Sequence, residues 1–150
     1  MSAEEIWKMS ACEISDAVRR KKLSAVEVSK SVGERASYVN SVTNCFASID
    51  IDAAVTEAKA VDKRVADGDA DLALAGVPFS VKDLIPARGF ETGCGSFTQE
   101  GQIANKDATV VNRVRQSGGL LLGKTTTPEF GCKVLTHSLR HGHTLNPWNL

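Results

Sequence analysis

Apolar positions in the first third of the chain recur with helical spacing. Ile14, Ala17 and Val18 share one face, preceded by Ser10 and Glu13, which predict a capping box with Met9 and Ile14 as its staple. That helix should end in Arg19-Arg20-Lys21-Lys22, where cations suit the negative end of the dipole. Ser24 and Glu27 repeat the device, with Leu23 and Val28 as staple and a stripe of Ala25, Val28, Val32, Ala36 and Val39. The basic run therefore reads as a helix end rather than a nucleic-acid patch. Residues 45–49 predict a short strand. Asp50 or Asp52 should cap a third helix, which buries Ala54, Ala58, Val61 and Val65 and stops at Asp67-Gly68-Asp69.

The period then changes. Over 76–82, Val77, Phe79 and Val81 alternate with Pro78, Ser80 and Lys82, which predicts a strand. Residues 83–106 carry one proline and four glycines with no sustained period, so they read as a long loop of the kind that often holds function. Asp107 should cap a helix with Ala108, Val111 and Val114 inward, stopped by Gly118-Gly119. Leu120-Leu121-Leu122 predicts a buried strand. Thr127-Pro128 predicts a short helix with proline in its first position, and Asn146-Pro147-Trp148 a turn. Strands alternating with helices indicate an α/β protein with a partly parallel sheet. Only about three strands are visible where sheets usually have about 4–6, so the domain is expected to be incomplete in this chain.

Composition narrows the class. Hydrophobic residues make up 42% of the 150, with 12 glycines besides, as in a globular protein. The 18 Lys and Arg balance the 18 Asp and Glu, which argues against a nucleic-acid binder. No apolar run approaches the roughly 18 residues of a membrane span, and the acidic opening MSAEEIWKMS lacks the apolar stretch of a signal peptide. A cytoplasmic location is expected. Cys12, Cys45, Cys94 and Cys132 form no CxxC pair, so they read as scattered reduced thiols, mostly in cores.

Three motifs invite chemistry. Residues 118–125, GGLLLGKT, fit the Walker A pattern. A P-loop follows a strand and opens a helix, whereas here a helix precedes and three leucines fill the loop, so the match is rejected. His137, His141 and His143 cluster, but Gly142 and Pro147 argue against a helix that would align them, and only Cys132 stands near as a further ligand. Lys82 is the residue singled out. It ends a strand, where α/β proteins place their chemistry, and Asp83 and the glycine-rich loop follow. An ordinary lysine is charged and cannot accept a proton, while one buried against apolar walls could act as a base. The plain alternative is a solvated lysine. Ser80, Ser96, Thr92 and Thr98 offer hydroxyls, none in a nucleophile-elbow context, and Ser96 reads better as a turn residue.

One set of segments carries a family resemblance. It begins with Leu74-Ala75-Gly76-Val77-Pro78-Phe79-Ser80-Val81-Lys82-Asp83 and Thr92-Gly93-Cys94-Gly95-Ser96. It continues through Asp107-Ala108-Thr109-Val110-Val111, Leu122-Gly123-Lys124-Thr125 and Glu129-Phe130-Gly131. It closes on Gly142-His143-Thr144-Leu145-Asn146-Pro147-Trp148-Asn149. In order and spacing these resemble the amidase signature family over nearly the whole chain. The departures are Thr126, where the family more often has Asn, and 137–140, where an acidic-Asn pair is commoner; both bear on substrate preference.

The resemblance implies hydrolysis of a carboxylic amide by a serine nucleophile, in a triad of serine, cis-peptide serine and lysine, without metal or cofactor. Lys82 falls on the family's catalytic lysine, while both serines and the oxyanion loop would lie beyond Leu150. It implies an α/β fold, a mixed sheet flanked by helices, of which this chain is the N-terminal portion. Residues 1–70 would be a helical region and 71–150 the start of the amidase core. The 150 residues alone are expected to be inactive. Expected partners are a small-molecule amide substrate and the remainder of the amidase fold or a complementing chain, with a homodimer as a further option. No direct nucleic-acid partner and no membrane are expected. The alternatives are the amidase subunit of a tRNA-dependent amidotransferase, which the chain resembles almost equally, and a non-catalytic assembly module.

Overall fold

A computed structural model describes residues 6–150. Glu4 and Glu5, part of the acidic opening, lie outside the described residues. Helix α1 (Ala11–Arg19) starts as its sequence dictates: Ser10 Oγ accepts the Glu13 N–H, and the Glu13 carboxylate accepts the Ser10 N–H at 2.7 Å. Ser24 and Glu27 do the same for helix α2 (Ala25–Thr43). Both glutamates are held below the usual carboxylate range, first by the backbone hydrogen bond and then by the serine hydroxyl. Asp50, rather than Asp52, caps helix α3 (Ile51–Ala66) by accepting the Ala53 N–H at 2.8 Å.

The chain divides into two compact units that interleave in sequence. The first comprises Met1–Ala36, Asp50–Phe79 and Arg113–Leu122. Its core joins Ile14 and Val18 of α1, Ala25 and Val28 of α2, Ala58 and Val61 of α3, and Leu72, Ala75 and Leu120. Each large aliphatic side chain buried there is worth about 1.5–3 kcal/mol. Polar groups fix the arrangement. The Asp62 carboxylate accepts the Ala25 and Val26 N–H groups, donors that the start of α2 would otherwise leave unpaired. Glu57 pairs with Arg115 at 2.8 Å and accepts the Leu121 N–H.

The second unit comprises Ser37–Ile49, Ser80–Asn112 and Gly123–Leu150. Strands β2 (Pro78–Lys82) and β3 (Leu120–Thr125) run from the first unit into the second. With β1 (Phe46–Ile49) they form a three-stranded sheet in the order β1-β3-β2. β1 is antiparallel to β3, with Phe46 opposite Thr125 and Ile49 opposite Gly123. Leu120 N–H donates to Val77 O, and Asp83 N–H donates to Thr125 O, so β2 and β3 run the same way and the sheet is mixed. Leu120, Leu121 and Leu122 are buried within β3, and helix α4 (Thr109–Gln116) precedes it, which accounts for the rejected phosphate loop.

Three expectations need correction. The cysteines are not core residues: Cys12 and Cys132 are exposed, and Cys45 and Cys94 are half-buried, all as free thiols. Pro128 is the residue before the short 3-10 turn Glu129–Gly131, not its first helical position; its ψ of 154° is extended. Residues 137–143, for which the sequence predicts no strand, form a small hairpin, β4 (His137–Ser138) with β5 (Gly142–His143). Two-residue strands carry too short an alternation to be read from sequence.

Candidate active site

Lys82 stands at the C-terminal end of β2, exposed, on the same side as exposed Ser80. Residue 83 is the opposite. Asp83 is buried, and its N–H, its carbonyl and its carboxylate Oδ1 are all hydrogen-bonded. Its N–H donates to Thr125 O at 2.9 Å, and its carbonyl accepts the Cys94 N–H at 3.0 Å. Its carboxylate Oδ1 accepts the Gly93 N–H and the Lys124 ammonium, both at 3.2 Å. The strand end that carries Lys82 is therefore rigidly positioned while its side chain stays free to solvent.

Lys124 completes this anchor from β3. It is fully buried, and its Nζ also donates to Glu91 O at 2.9 Å. A buried cation survives only when paired and hydrogen-bonded, and both conditions hold here. Glu91 extends the network: Arg140 Nη2 donates to both its carboxylate oxygens at 2.9 Å, and Gly101 N–H donates at 2.7 Å. Arg140 Nη1 donates to Ser96 O. The loop 91–96 is thus held by the side chains of Asp83 just after β2, Lys124 of β3 and Arg140 of the hairpin.

The loop's backbone explains its glycines. Gly93 passes so close to the Arg140 guanidinium and the Asp83 carboxylate that a Cβ would collide with Arg140. Gly95 has φ +64°, and a Cβ there would meet Thr127 O at 2.7 Å. Cys94 takes φ +52° despite its side chain. Burial, with the Asp83 charge adding and Lys124 opposing, pushes its thiol above the usual range, so it is not an activated nucleophile.

The other sequence candidates are not brought to Lys82. Ser96 is buried and caps the turn Phe97–Gln99, its hydroxyl accepting the Thr98 N–H and bonding Thr98 Oγ1 at 2.9 Å. This is the turn role read from sequence. The Thr92 hydroxyl is buried without a partner among the described residues. His137 and His143 face each other across the hairpin, their rings stacked at 4.1 Å, and Lys133 Nζ lies 3.2 Å from His137 Nδ1. His141 lies apart from this stack, near Asp83 and Glu91; burial, then the Arg140 charge, holds it below its usual value. Among the described residues no cluster of three metal-ligating side chains occurs.

Asp83, Lys124, Glu91 and Arg140 were not singled out from sequence as site residues. One signal was available: Lys124 stands two residues after a run of leucines predicted to be a buried strand, and a charge that continues a buried strand demands a partner.

The network carries a pH prediction. Burial pushes the Glu91 carboxyl up, but the hydrogen bonds from Arg140 and Gly101 and the charges of Arg140 and His141 outweigh it. The folded value therefore lies below the ordinary glutamate value of 4.5. Its contribution to stability is present above 4.5 and is lost as pH falls through the lowered value. Denaturant midpoints measured from about pH 6 to about pH 3 should fall less steeply in Glu91→Gln than in the parent; equal slopes would contradict the assignment.

Comparison with known proteins gives concordant matches. A family model described as Amidase matches residues 27–150. The chain is 38% identical over 146 residues to a glutamyl-tRNA(Gln) amidotransferase subunit of Acidothermus cellulolyticus, covering 97% of this chain and 29% of the relative. A solved fatty acid amide hydrolase superposes with a TM-score of 0.92 at 26% identity, over 100% of this chain and 27% of that one. A bacterial aryl acylamidase of the amidase signature enzymes superposes with a TM-score of 0.87 at 29% identity, over 95% and 30%. The chain thus spans under a third of the length of each relative.

Proposed function

The chain belongs to the amidase signature family, and from that premise we propose that it serves the hydrolysis of a carboxylic amide, with Lys82 as the proton-handling lysine of a serine-based site. The observation that carries the reading is Lys82 at the end of β2, exposed, beside an Asp83 bonded through its backbone and its carboxylate. A lysine base needs a fixed origin and a reachable nucleophile, and the first requirement is met within these residues. The nucleophile and the cis-peptide serine would come from the part of the amidase fold that these residues do not span. In the proposed cycle the serine oxygen attacks the amide carbonyl, and its proton passes through the cis serine to Lys82. That proton then goes to the departing amine as the C–N bond breaks. Water hydrolyses the remaining ester, its proton returning by the same route.

On this reading the 150 residues are the N-terminal part of a single amidase domain, with 1–70 its helical region and 71–150 the start of the core. Among the described residues no helix is long and apolar enough to cross a membrane. The four free thiols suit a reducing cytoplasm.

The test is amide hydrolysis by the complete domain across a panel of primary and secondary amides that includes glutamine. Lys82→Ala should lower kcat/KM by about 1,000-fold or more, the scale of losing a catalytic base that activates a nucleophile. Activity within about tenfold of the parent would sink the assignment. The 150 residues alone should show none, and hydrolysis by them that Lys82→Ala abolishes would remove the need for distant serines.

A second reading has one specific support, the 38% identity to an amidotransferase component. It predicts that glutamine is the preferred amide and that its hydrolysis rises when partner subunits are present. Hydrolysis of other amides without partner subunits would favour the free-standing enzyme.

A further inference from the structure

The histidines near the end of the chain have no part in the proposed chemistry, yet the fold brings two of them face to face. His137 and His143 stand directly opposite each other in the β4–β5 ladder, and their rings stack at 4.1 Å with 28° between the planes. Contact of this kind between aromatic rings is attractive. Imidazole lone pairs lie in the ring plane, so rings stacked face to face do not aim them at one point, and the pair is not arranged to chelate a metal. Each strand of the ladder has two residues. A hairpin that short is marginal by itself, so each side-chain contact across it counts.

The stack carries a protonation requirement. Lys133 Nζ lies 3.2 Å from His137 Nδ1. An ammonium has only hydrogens to offer, so Nδ1 must accept, and His137 must be neutral with its proton on Nε2. A proton on Nδ1 would set two donors and two positive charges against each other. The groups that face His137 are Lys133 ahead of β4 and His143 across the ladder. Asn44 meets the hairpin with its uncharged amide, which donates to His141 O and His143 O. Asp83, Glu91 and Arg140 act on His141 instead. Desolvation, then the charges of His143 and Lys133, holds His137 below its usual 6.5. A base with a lowered folded value binds fewer protons folded than unfolded. Its contribution is therefore complete above 6.5 and is lost as pH falls through the lowered value.

The turn between the two strands is Leu139-Arg140-His141, and Arg140 reaches from it to both Glu91 carboxylate oxygens and to Ser96 O. We infer that the His137–His143 stack is a pH-sensitive latch on this hairpin, closed while His137 is neutral, and that Arg140 passes its state to the loop 91–96. An intact ladder fixes the place from which the guanidinium reaches Glu91. A ladder opened by imidazolium beside ammonium leaves that place undefined. The inference stands apart from the amidase reading, and its test needs no turnover.

The test is amide hydrogen exchange of this chain at about pH 7.5 and about pH 5, corrected for intrinsic exchange, which stays above the 4.5 at which Glu91 itself begins to matter. Two amides report. Thr144 N–H donates to Thr136 O across the hairpin, and Gly101 N–H donates to Glu91 Oε1 in the loop network. Protection of both should fall by about threefold or more between the two pH values. His137→Phe keeps an aromatic face against His143 but cannot titrate, and should hold both protections level. Lys133→Gln keeps a donor for Nδ1 without the charge, and should weaken the response. His141→Gln should leave it intact. Imidazole nitrogen shifts should place the proton of neutral His137 on Nε2. Level protection in the parent, a response that survives in His137→Phe, or one that His141→Gln removes would overturn the inference. So would a neutral His137 protonated on Nδ1, and a fall at Thr144 with none at Gly101 would reject the link through Arg140.

Discussion

Lys124→Ala is expected to destabilise the chain by about 3–5 kcal/mol, the cost of breaking a buried ion pair by removing one partner. Lys124 is 0% exposed and the Asp83 side chain 4%, so water cannot replace the lost ammonium. The substitution leaves Asp83 Oδ1 with only the Gly93 N–H and deprives Glu91 O of its donor. It also removes the packed stem of the side chain. Lys124→Met keeps most of that volume and should still cost most of the energy, because the buried carboxylate remains unpaired. Asp83→Asn combined with Lys124→Met should recover part of the loss, since the amide oxygen can still accept from Gly93 without carrying a charge. Urea unfolding of the parent and these variants gives the coupling directly. A Lys124→Ala cost under about 1 kcal/mol would mean that the ammonium is not paired as described. On the proposed role of Lys82, the same substitutions in the complete domain should reduce amide hydrolysis as well, because the β2 end that carries it loses its anchor.

Gly123→Ala should be of similar severity for a different reason. Gly123 lies opposite Ile49 in the β1–β3 ladder, and an added Cβ would collide with Ser48 O and stand 3.0 Å from Ile49 Cα. Both are backbone atoms, so no rotamer change relieves the contact. Either β1 separates from β3 or the strand shifts register, and a one-residue shift would turn Lys124 out of its buried site. Overpacking against backbone costs about 1–3 kcal/mol or more, and the loss of Lys124 pairing would add to it. The expected result is loss of cooperative unfolding or a denaturant midpoint far below the parent. By contrast, Gly68→Ala meets no atom within 4 Å and should cost only the strain of its φ of +84°. Equal effects at the two positions would reject the steric account.

The helices were legible because their information is local. Ser10 with Glu13 and Ser24 with Glu27 close within one turn, and the stripes from Ile14 to Val65 repeat at a period that any compact neighbour satisfies. The strand ending at Lys82 was legible for the same reason, as was the buried run Leu120–Leu122. Pro128 was misplaced because a proline with extended ψ and a proline in a first helical turn look alike in sequence. The hairpin from His137 to His143 was missed because its ladder is two residues long. The thiols were misjudged because cysteine's usual burial is a statistical tendency that no neighbour of Cys12 or Cys132 enforces.

The sequence by itself determined the helices, the capping boxes at Ser10 and Ser24, the strand that places Lys82 at its end, and the long glycine-rich loop that follows it. Only the tertiary structure decided what holds that strand end. Asp83 and Lys124 are 41 residues apart, and Glu91 and Arg140 are 49 apart. No period or short motif reports such a pairing. It arises because β2 and β3 lie side by side with Lys124 buried, and in that dry interior each charge must find its opposite or not be there at all.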